Sequence, residues 1–301
     1  MAVAWTTISN AEVAAGAPVT TALMTALRDN PEGIAQRAAG APKIFGVPYD
    51  FQEFTANGTW NKPSNAESGD RVIVHCVGGG GAGARAAISS ISNSNAGAGA
   101  GGIFKKFNDI DDLPASVGIT VGAGGVPTSG NGGGGGTSNF GVNPGDPNNA
   151  ALLYFMHAGG GGGGLANSTS RALQGLAWML RDYGTDVSWG YSEWTGGNGA
   201  SPRNGAATLA PGSGWSAAGG GGSSELAYNQ DPYPIAGGYS ALAGNGGEGT
   251  DYNTAFPIGN YLIDGEFPGG GGGLVDTSAT GNTVGGAGAD GVVRVWCMKE
   301  G

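Results

Sequence analysis

Hydrophobic and polar residues alternate along several short stretches of the chain, a pattern typical of half-buried β-strands. In Arg71–Val77 the residues Val72, Val74 and Cys76 fall on one face, and Val292–Cys297 alternates in the same way. Three further stretches predict strands: Phe54–Trp60 with a bend at Gly58, Ile103–Phe107 and Val117–Val121. Because the outermost strands come from opposite ends of residues 51–301, we predict one closed domain over that range.

Residues 1–42 carry a helical pattern instead. Ser9–Glu12 is a capping box, which predicts a short helix from Asn10 to about Gly16. Pro18 suits the first position of a second helix. Asn30–Pro31 is expected to end that helix and to begin a third helical piece, because proline lacks the N–H that a helix interior needs.

The predicted helices are short and barely amphipathic, so we do not expect them to fold alone. Leu23 and Leu27 share a face of the second piece, and Ile34 lies on the third. We therefore predict that residues 1–42 form an attachment or oligomerisation segment that uses these three side chains. The alternative is a helical segment that packs on its own domain. Residues 43–50, which are bounded by prolines, are predicted to be a linker.

Five runs of pure glycine separate the strand-like stretches. A single run would be a flexible tether, because glycine has the largest conformational entropy to lose on folding. Several runs can instead pack side by side as polyglycine II helices, which have three residues per turn and point every N–H and C=O outward. The sequence therefore predicts a mainly β and irregular fold, a polyglycine II helix sandwich clad by β-strands, with a short helical N-terminal segment. The runs are Gly78–Gly81, Gly132–Gly136, Gly159–Gly164, Gly219–Gly222 and Gly269–Gly273.

Composition and charge exclude collagen and argue against several kinds of protein and partner. Many of the 65 glycines fall in consecutive runs and not at every third position, which excludes collagen. The 7 Trp, 9 Tyr and 9 Phe argue against disorder throughout. A net charge of −10 with only 13 Lys and Arg argues against nucleic acid and anionic membrane surfaces as partners. No apolar run reaches transmembrane length, so we expect no membrane insertion.

Five short motifs follow one another along the chain: Phe54–Pro63, Arg71–Gly81, Val117–Gly125, Gly136–Gly141 and Gly288–Trp296. Their order resembles the glycine-rich domain of bacteriophage tail-fibre and adhesin proteins, over roughly residues 51–298. In the T-even-type distal adhesins of that group, glycine runs form a polyglycine II sandwich whose connecting loops contact the host receptor. The resemblance therefore implies a virion protein, at a tail or spike tip, that acts outside the host cell.

Aromatic residues concentrate in two long insertions, 165–218 and 223–268. The range 165–268 holds 11 of the 16 Trp and Tyr residues, interleaved with Gly, Ser, Asn, Asp and Pro. This mixture is typical of binding loops, in which rigid aromatics make contact and small polar residues adapt. The alternative is that the aromatics cap the glycine bundle. We also expect a short helix over Leu173–Arg181. The predicted receptor-binding residues are Tyr183, Trp189, Tyr191, Trp194, Tyr228, Tyr233, Tyr239 and Tyr252.

Motifs for catalysis or cofactor binding are weak in this chain. Gly78–Gly83 matches a dinucleotide fingerprint literally, but no helix pattern follows it and no acidic residue lies about 20 positions on. His75 and Cys76 are adjacent on a strand and so face opposite ways. The acidic stretch Asp109–Asp112 lacks the glycine and distal Glu of an EF-hand and is interpreted as a polar turn. We predict no catalytic residues, no cofactor and no metal.

The two cysteines, Cys76 and Cys297, both lie on predicted strands. A disulfide between them is one alternative, and two buried free thiols are the other.

Taken with the resemblance, these features predict a non-enzymatic receptor-binding protein that adheres to a host surface protein or glycan. Residues 1–42 would join it to another virion protein, as a homotrimer or as a monomeric cap. The alternative is a structural virion component, such as a head fibre or a baseplate cap. An enzyme acting on surface polysaccharide would need paired carboxylates, and the spacing of the acidic residues pairs none.

Overall fold

The computed structural model describes residues 6–11, 13–14, 18–35, 48–86, 96–141, 154–166, 175, 177–183, 186–191, 218, 237–248, 263–276 and 284–299. In this part of the chain the fold is mainly β, with two antiparallel sheets and one short helix near the N-terminus. The alternation of hydrophobic and polar residues predicts this class. The one α-helix among the described residues is not long and apolar enough to cross a membrane.

Twelve strands and one helix, α1, make up the regular structure of these ranges. Strands β1, β12, β3 and β5 form a four-stranded sheet in that order, and β10, β9, β8, β7, β6 and β2 form a six-stranded sheet. Strands β11 and β4 pair separately and in parallel. The bounds are α1 Thr21–Ala35, β1 Pro48–Phe54, β2 Gly58–Asn61, β3 Arg71–Val77, β4 Arg85–Ala86, β5 Gly102–Phe107, β6 Ser116–Thr120, β7 Ser138–Phe140, β8 Tyr154–Ala158, β9 Ala177–Tyr183, β10 Asp186–Tyr191, β11 Val275–Asp276 and β12 Val292–Met298.

The two larger sheets enclose one hydrophobic core. Val72, Val74 and Cys76 of β3 are buried there, so the predicted inward face is confirmed. Trp60 and Phe140 enter from the six-stranded sheet and pack at 5.9 Å between ring centroids. Strand β12 returns from the C-terminal end of the chain to lie between β1 and β3. The described domain is therefore closed by strands from both of its ends.

The prediction of one strand over Phe54–Trp60 is wrong. Residues 55–57 bend, and the chain passes there from β1 in one sheet to β2 in the other. Asn57 helps to fix the crossing, because its side-chain Oδ1 accepts a 2.8 Å hydrogen bond from the Val121 N–H, just beyond the partner strand β6. The bend at Gly58 is thus a change of sheet. Strand β1 begins at Pro48, so regular structure starts before residue 51.

The prediction of three helical pieces is also wrong. Residues 10–11 and 13–14 form a turn and a bend, and α1 runs unbroken through Asn30–Pro31. The helix begins after Thr20, whose Oγ1 accepts a hydrogen bond from the Leu23 N–H as an N-cap. Asn30 is buried and exchanges two hydrogen bonds with the backbone of Thr6. These bonds anchor the helical turn that contains Pro31, a residue with no N–H to donate within the helix.

The predicted short helix over Leu173–Arg181 is wrong as well. Residues 177–183 form β9, which pairs with β8 and with β10. An exposed sheet edge offers a full row of backbone hydrogen bonds to a segment laid along it. Pairing with β8 therefore overrides the local helical preference of this segment.

Candidate functional site: a glycine lattice and its loops

The segment 78–84 lies at the centre of a bundle of glycine-rich runs. Its N–H groups donate hydrogen bonds to three neighbouring runs, and two N–H groups three residues apart donate to the same run. A repeat of three is the helical period of polyglycine II, in which successive groups point 120° apart. The N–H groups of residues 78 and 81 donate to run 96–101, those of residues 79 and 82 to run 132–136, and those of residues 80 and 83 to run 285–291. The N···O distances are 2.8–3.1 Å.

The carbonyl groups of the central segment bind three different runs. Carbonyls 79 and 82 accept from run 159–164, carbonyls 81 and 84 from run 269–275, and carbonyl 80 from run 122–126. The central helix therefore has six hydrogen-bonded neighbours. In this hexagonal arrangement the N–H groups of residues 78–83 and the carbonyls of residues 79–82 and 84 are bound by other backbone groups, without any side chain. Buried N–H and C=O groups need such partners.

The runs that accept hydrogen bonds from the central segment and those that donate to it differ in chain direction relative to that segment. The central segment runs antiparallel to the three runs that accept its N–H groups, because donor and acceptor numbers change in opposite directions. It runs parallel to 159–164 and 269–275, from which it accepts. The lattice is therefore of mixed direction, and the chain builds it by passing back and forth between its two ends.

Side chains larger than a methyl group are excluded from the central segment 78–84, whose residues are all Gly or Ala. A Cβ atom built on Gly83 would lie 1.9 Å from the carbonyl oxygen of Gly273, and one on Gly81 would lie 2.0 Å from that of Gly162. Such contacts are far inside van der Waals distance, so the neighbouring backbone would have to move. Glycine at these positions is required by close approach of the chains.

Polar side chains complete the outer hydrogen bonds of the lattice. Asp290 Oδ1 accepts from the Gly124 N–H at 2.7 Å, and Ser138 Oγ accepts from the Gly122 N–H at 3.0 Å. Asp264 Oδ1 accepts from the Ala287 N–H at 2.7 Å. A peripheral run lacks a neighbouring helix on its outer side, so a carboxylate or hydroxyl takes that place.

The sequence comparison agrees with this architecture. The family model described as a glycine-rich domain matches residues 53–297. The chain belongs to the glycine-rich domain family. No curated protein matches the chain.

The glycine-rich domain joins its strands to its glycine runs end to end. Run 78–84 follows β3 and run 159–164 follows β8, whereas run 96–101 leads into β5 and run 285–291 into β12. One end of the lattice is thereby fixed to the sheets. The turns at the other end, which we call the distal turns, include residues 127–131, 165–166 and 284–285.

The distal turns are linked to one another. The Asn131 Oδ1 accepts a 2.7 Å hydrogen bond from the Ala166 N–H, and the Thr128 carbonyl accepts from the Gly285 N–H at 3.3 Å. The Thr128 hydroxyl donates to the Asn131 carbonyl within the same turn. Sequence reasoning missed this cluster, although polar residues flanking a glycine run are a readable signal of a turn.

The structure places the predicted receptor-binding residues on different elements. Tyr239 is 68% exposed and lies just before the bend at residues 241–243, and the N–H of the next residue, Ser240, donates to Asn245 Oδ1. Tyr183 ends β9, and Trp189 and Tyr191 lie on β10, the outermost strand of the six-stranded sheet. The remaining predicted residues Trp194, Tyr228, Tyr233 and Tyr252 lie outside the described residues.

The residues predicted for attachment lie on α1. Leu23 is buried at 8% exposure, whereas Leu27 is 54% exposed and Met24 is 55% exposed. Ile34 belongs to the helix, but its side chain lies outside the described residues. Leu23 and Leu27 therefore differ in exposure, and α1 presents Met24 and Leu27 as an apolar surface.

The two cysteines of the glycine-rich domain are free and buried. Burial raises the pKa of the Cys297 thiol to about 12, and it raises that of Cys76 further. A thiol with a raised pKa is a poor nucleophile, because the thiolate is the reactive form. Both cysteines act as small core residues.

Two further polar side chains, those of His157 and Asp109, have structural partners. His157 Nδ1 lies 3.0 Å from Asn139 Oδ1, and burial lowers the pKa of this histidine. Asp109 Oδ1 accepts from the N–H groups of Asp111 and Gly69, and these bonds lower the pKa of its carboxyl. The acidic stretch forms a 3₁₀ turn over Ile110–Asp112. The described residues contain no group of His, Cys, Asp and Glu that could hold a metal ion.

Proposed function

We propose that this glycine-rich domain is the receptor-binding part of a bacteriophage tail fibre or spike, and that it adheres to a protein or glycan of the host surface without enzymatic action. The observation that carries the proposal is the six-neighbour lattice around residues 78–84. It is a scaffold made largely of backbone, and the long insertions 165–218 and 223–268 connect its glycine runs. Rigid scaffolds of this kind reduce the ordering cost that loops incur on binding.

The contact surface in this proposal comes from the insertions 165–218 and 223–268. Exposed Tyr239 lies in the second insertion, and the edge strand with Trp189 and Tyr191 lies in the first. Aromatic residues contribute large contact areas at low entropic cost, on protein and on sugar surfaces. The strand with Trp189 and Tyr191 lies at the sheet end of the lattice, where its pairing with β9 holds it in place. The hydrogen bonds among the distal turns fix the connections at the opposite end.

In the same proposal, residues 1–42 attach the protein to the virion. Exposed Met24 and Leu27 of α1 are available for an apolar contact with another virion protein or with further copies of the chain. Short helices of this kind suit a homotrimer, and a monomeric cap on another fibre uses the same surface. A structural role in the virion, without receptor contact, is the competing function.

Adsorption competition separates these functions. Host cells are first saturated with the purified full-length protein, and free virus is then counted after a fixed adsorption time. Receptor binding predicts slower adsorption, and a double variant Trp189→Ala with Tyr191→Ala should lose that inhibition while keeping the melting temperature of the parent. Unchanged adsorption at saturating protein, given as monomer and as cross-linked trimer, would favour the structural role.

A further inference from the structure

A buried lysine meets a buried aspartate where the first and last parts of the domain come together. Asp70 immediately precedes β3 and Lys299 immediately follows β12, and these two strands are paired with Arg71 opposite Met298. The side chain of Lys299 is 3% exposed and that of Asp70 is 2% exposed. Lys299 Nζ lies 2.9 Å from Asp70 Oδ2.

Two further donors converge on the same carboxylate oxygen. The Tyr49 hydroxyl and the Glu67 N–H each donate to Asp70 Oδ2 at 2.9 Å. The side chain of Glu67 turns to the lysine, with its Oε2 at 2.6 Å from Lys299 Nζ. Tyr49 also lies beneath the ammonium group, at 5.6 Å from the ring centroid.

We propose that Lys299 and Asp70 condense to an intramolecular amide bond, so that the domain closes itself covalently. The ammonium group of Lys299 passes a proton to Glu67, and the nitrogen lone pair then attacks Asp70 Cγ. The new C–N bond gives a tetrahedral intermediate, and the Cγ–Oδ1 bond breaks afterwards, once Oδ1 has been protonated. Oδ1 leaves as water with two protons that began on Nζ, one of them carried by Glu67, so Glu67 is regenerated and no other reactant is needed.

The surrounding groups match the demands of that step. Negative charge develops on Oδ2 in the tetrahedral intermediate, and the Glu67 N–H and the Tyr49 hydroxyl are already placed to stabilise it. Glu67 Oε2 is within hydrogen-bond reach of the proton it must take. Fixed placement of amine and carboxyl replaces a bimolecular encounter, and such preorganisation is worth effective molarities of about 10⁵ M or more.

Condensation also removes two charges from the protein interior. A buried ion pair has a desolvation cost that its Coulomb attraction does not always offset. An amide at the same place is neutral and keeps the carbonyl oxygen as acceptor for Tyr49 and the Glu67 N–H. The cross-link would join positions 229 residues apart and enclose every described glycine run, so that the strands flanking it could not separate under load.

The mass of the denatured full-length protein tests the proposal. We expect the chain to be lighter than its sequence mass by one water, and a protease digest to contain a branched peptide that joins Lys299 to Asp70. Lys299→Arg keeps a cation but has no amine nucleophile, and should have its full sequence mass. A wild-type chain of full sequence mass, with both residues in separate peptides, would overturn the proposal whether or not any variant folds.

Two variants sharpen the chemistry. Asp70→Asn offers an amide with ammonia as the leaving group, and so should end at the same final mass as the wild-type chain after losing ammonia instead of water. Glu67→Gln keeps the backbone donor but not the proton acceptor, and should leave most of the chain without the cross-link in freshly purified protein. Equally rapid cross-linking in Glu67→Gln would contradict the role given to Glu67.

Discussion

The β-sandwich core and the glycine lattice are stabilised by opposite means within one domain. In the sandwich, Trp60, Phe140 and Ile110 are fully buried, and apolar area removed from water supplies the stability. In the lattice, segment 78–84 is buried with hardly a side chain, and hydrogen bonds to six neighbours replace those to water. The first region depends on what its side chains fill, and the second depends on their absence.

This difference predicts which substitutions each region can accept. A hydrophobic core accepts changes that conserve volume and loses stability in proportion to the cavity that is left. The lattice has few side chains that could adjust, because most of its contacts are between backbones. We expect graded losses in the sandwich and abrupt losses in the lattice.

The largest effect is expected for Gly161→Val. A Cβ on Gly161 would lie 2.0 Å from the Ala98 carbonyl oxygen and 2.9 Å from the Gly81 nitrogen. We expect a loss of more than about 4 kcal/mol in the free energy of unfolding, or failure to fold, since overpacking here must separate two chains. Chemical denaturation measures the loss.

Gly130→Ala is the matched control for that variant, because a Cβ on Gly130 would meet nothing within 4 Å. Its free energy of unfolding should remain within about 0.5 kcal/mol of the parent, as for most surface changes. Gly161→Val with the unfolding curve of the parent would mean that the runs are loose tethers.

Trp60→Ala should have the next largest effect, through the sandwich. Trp60 is fully buried and packs against Phe140. Its truncation leaves a cavity and should cost about 3–5 kcal/mol. Trp60→Phe retains most of the volume and should cost clearly less, whereas equal losses for the two variants would argue against a packing role. Urea unfolding of both proteins provides the comparison.

A smaller loss is expected where the lattice is completed by side chains. Asp290→Ala removes the acceptor for the Gly124 N–H and should cost about 1 kcal/mol, because the bond is at the exposed edge of the bundle. Asp290→Asn retains an oxygen at that place and should recover most of the loss. Thermal unfolding of the three proteins measures the order, and an unchanged midpoint for the alanine variant would contradict it.

The smallest effect is a pH dependence from His157. Burial lowers its pKa from 6.5 in the folded state, so the unfolded chain binds the proton more tightly. This contribution to stability is fully present above about pH 6.5 and is lost as the pH falls through the lower folded pKa. Unfolding of wild type and His157→Gln across this range should give curves that converge in acid. Parallel curves would remove His157 as the cause.

The sequence predicts the strands and the glycine packing better than it predicts their connections. Arg71–Val77 is correct to the residue, because one face must be buried and the alternation of Val72, Val74 and Cys76 records it. The consecutive glycines indicate close backbone packing directly. Phe54–Trp60 is misread because a change of sheet depends on a partner strand far along the chain.

Helix α1 and the buried pair of Lys299 and Asp70 show a second limit of prediction from local sequence. Proline at position 31 argues for a break, and the tertiary bonds between Asn30 and Thr6 that hold the helix together leave no mark in the local pattern. Lys299 and Asp70 are unremarkable in the sequence because they meet only when β3 and β12 pair. Their significance depends on long-range topology.

Amide hydrogen exchange of the central segment tests the account most directly. Residues 79–83 are glycine apart from Ala82, and each of their N–H groups is bound to a neighbouring run. A rigid lattice predicts that these amides exchange only on global unfolding, as slowly as the amides of β3 in the sandwich. Exchange near the unprotected rate in the native protein would contradict the lattice as a scaffold, and with it the proposed basis of adhesion.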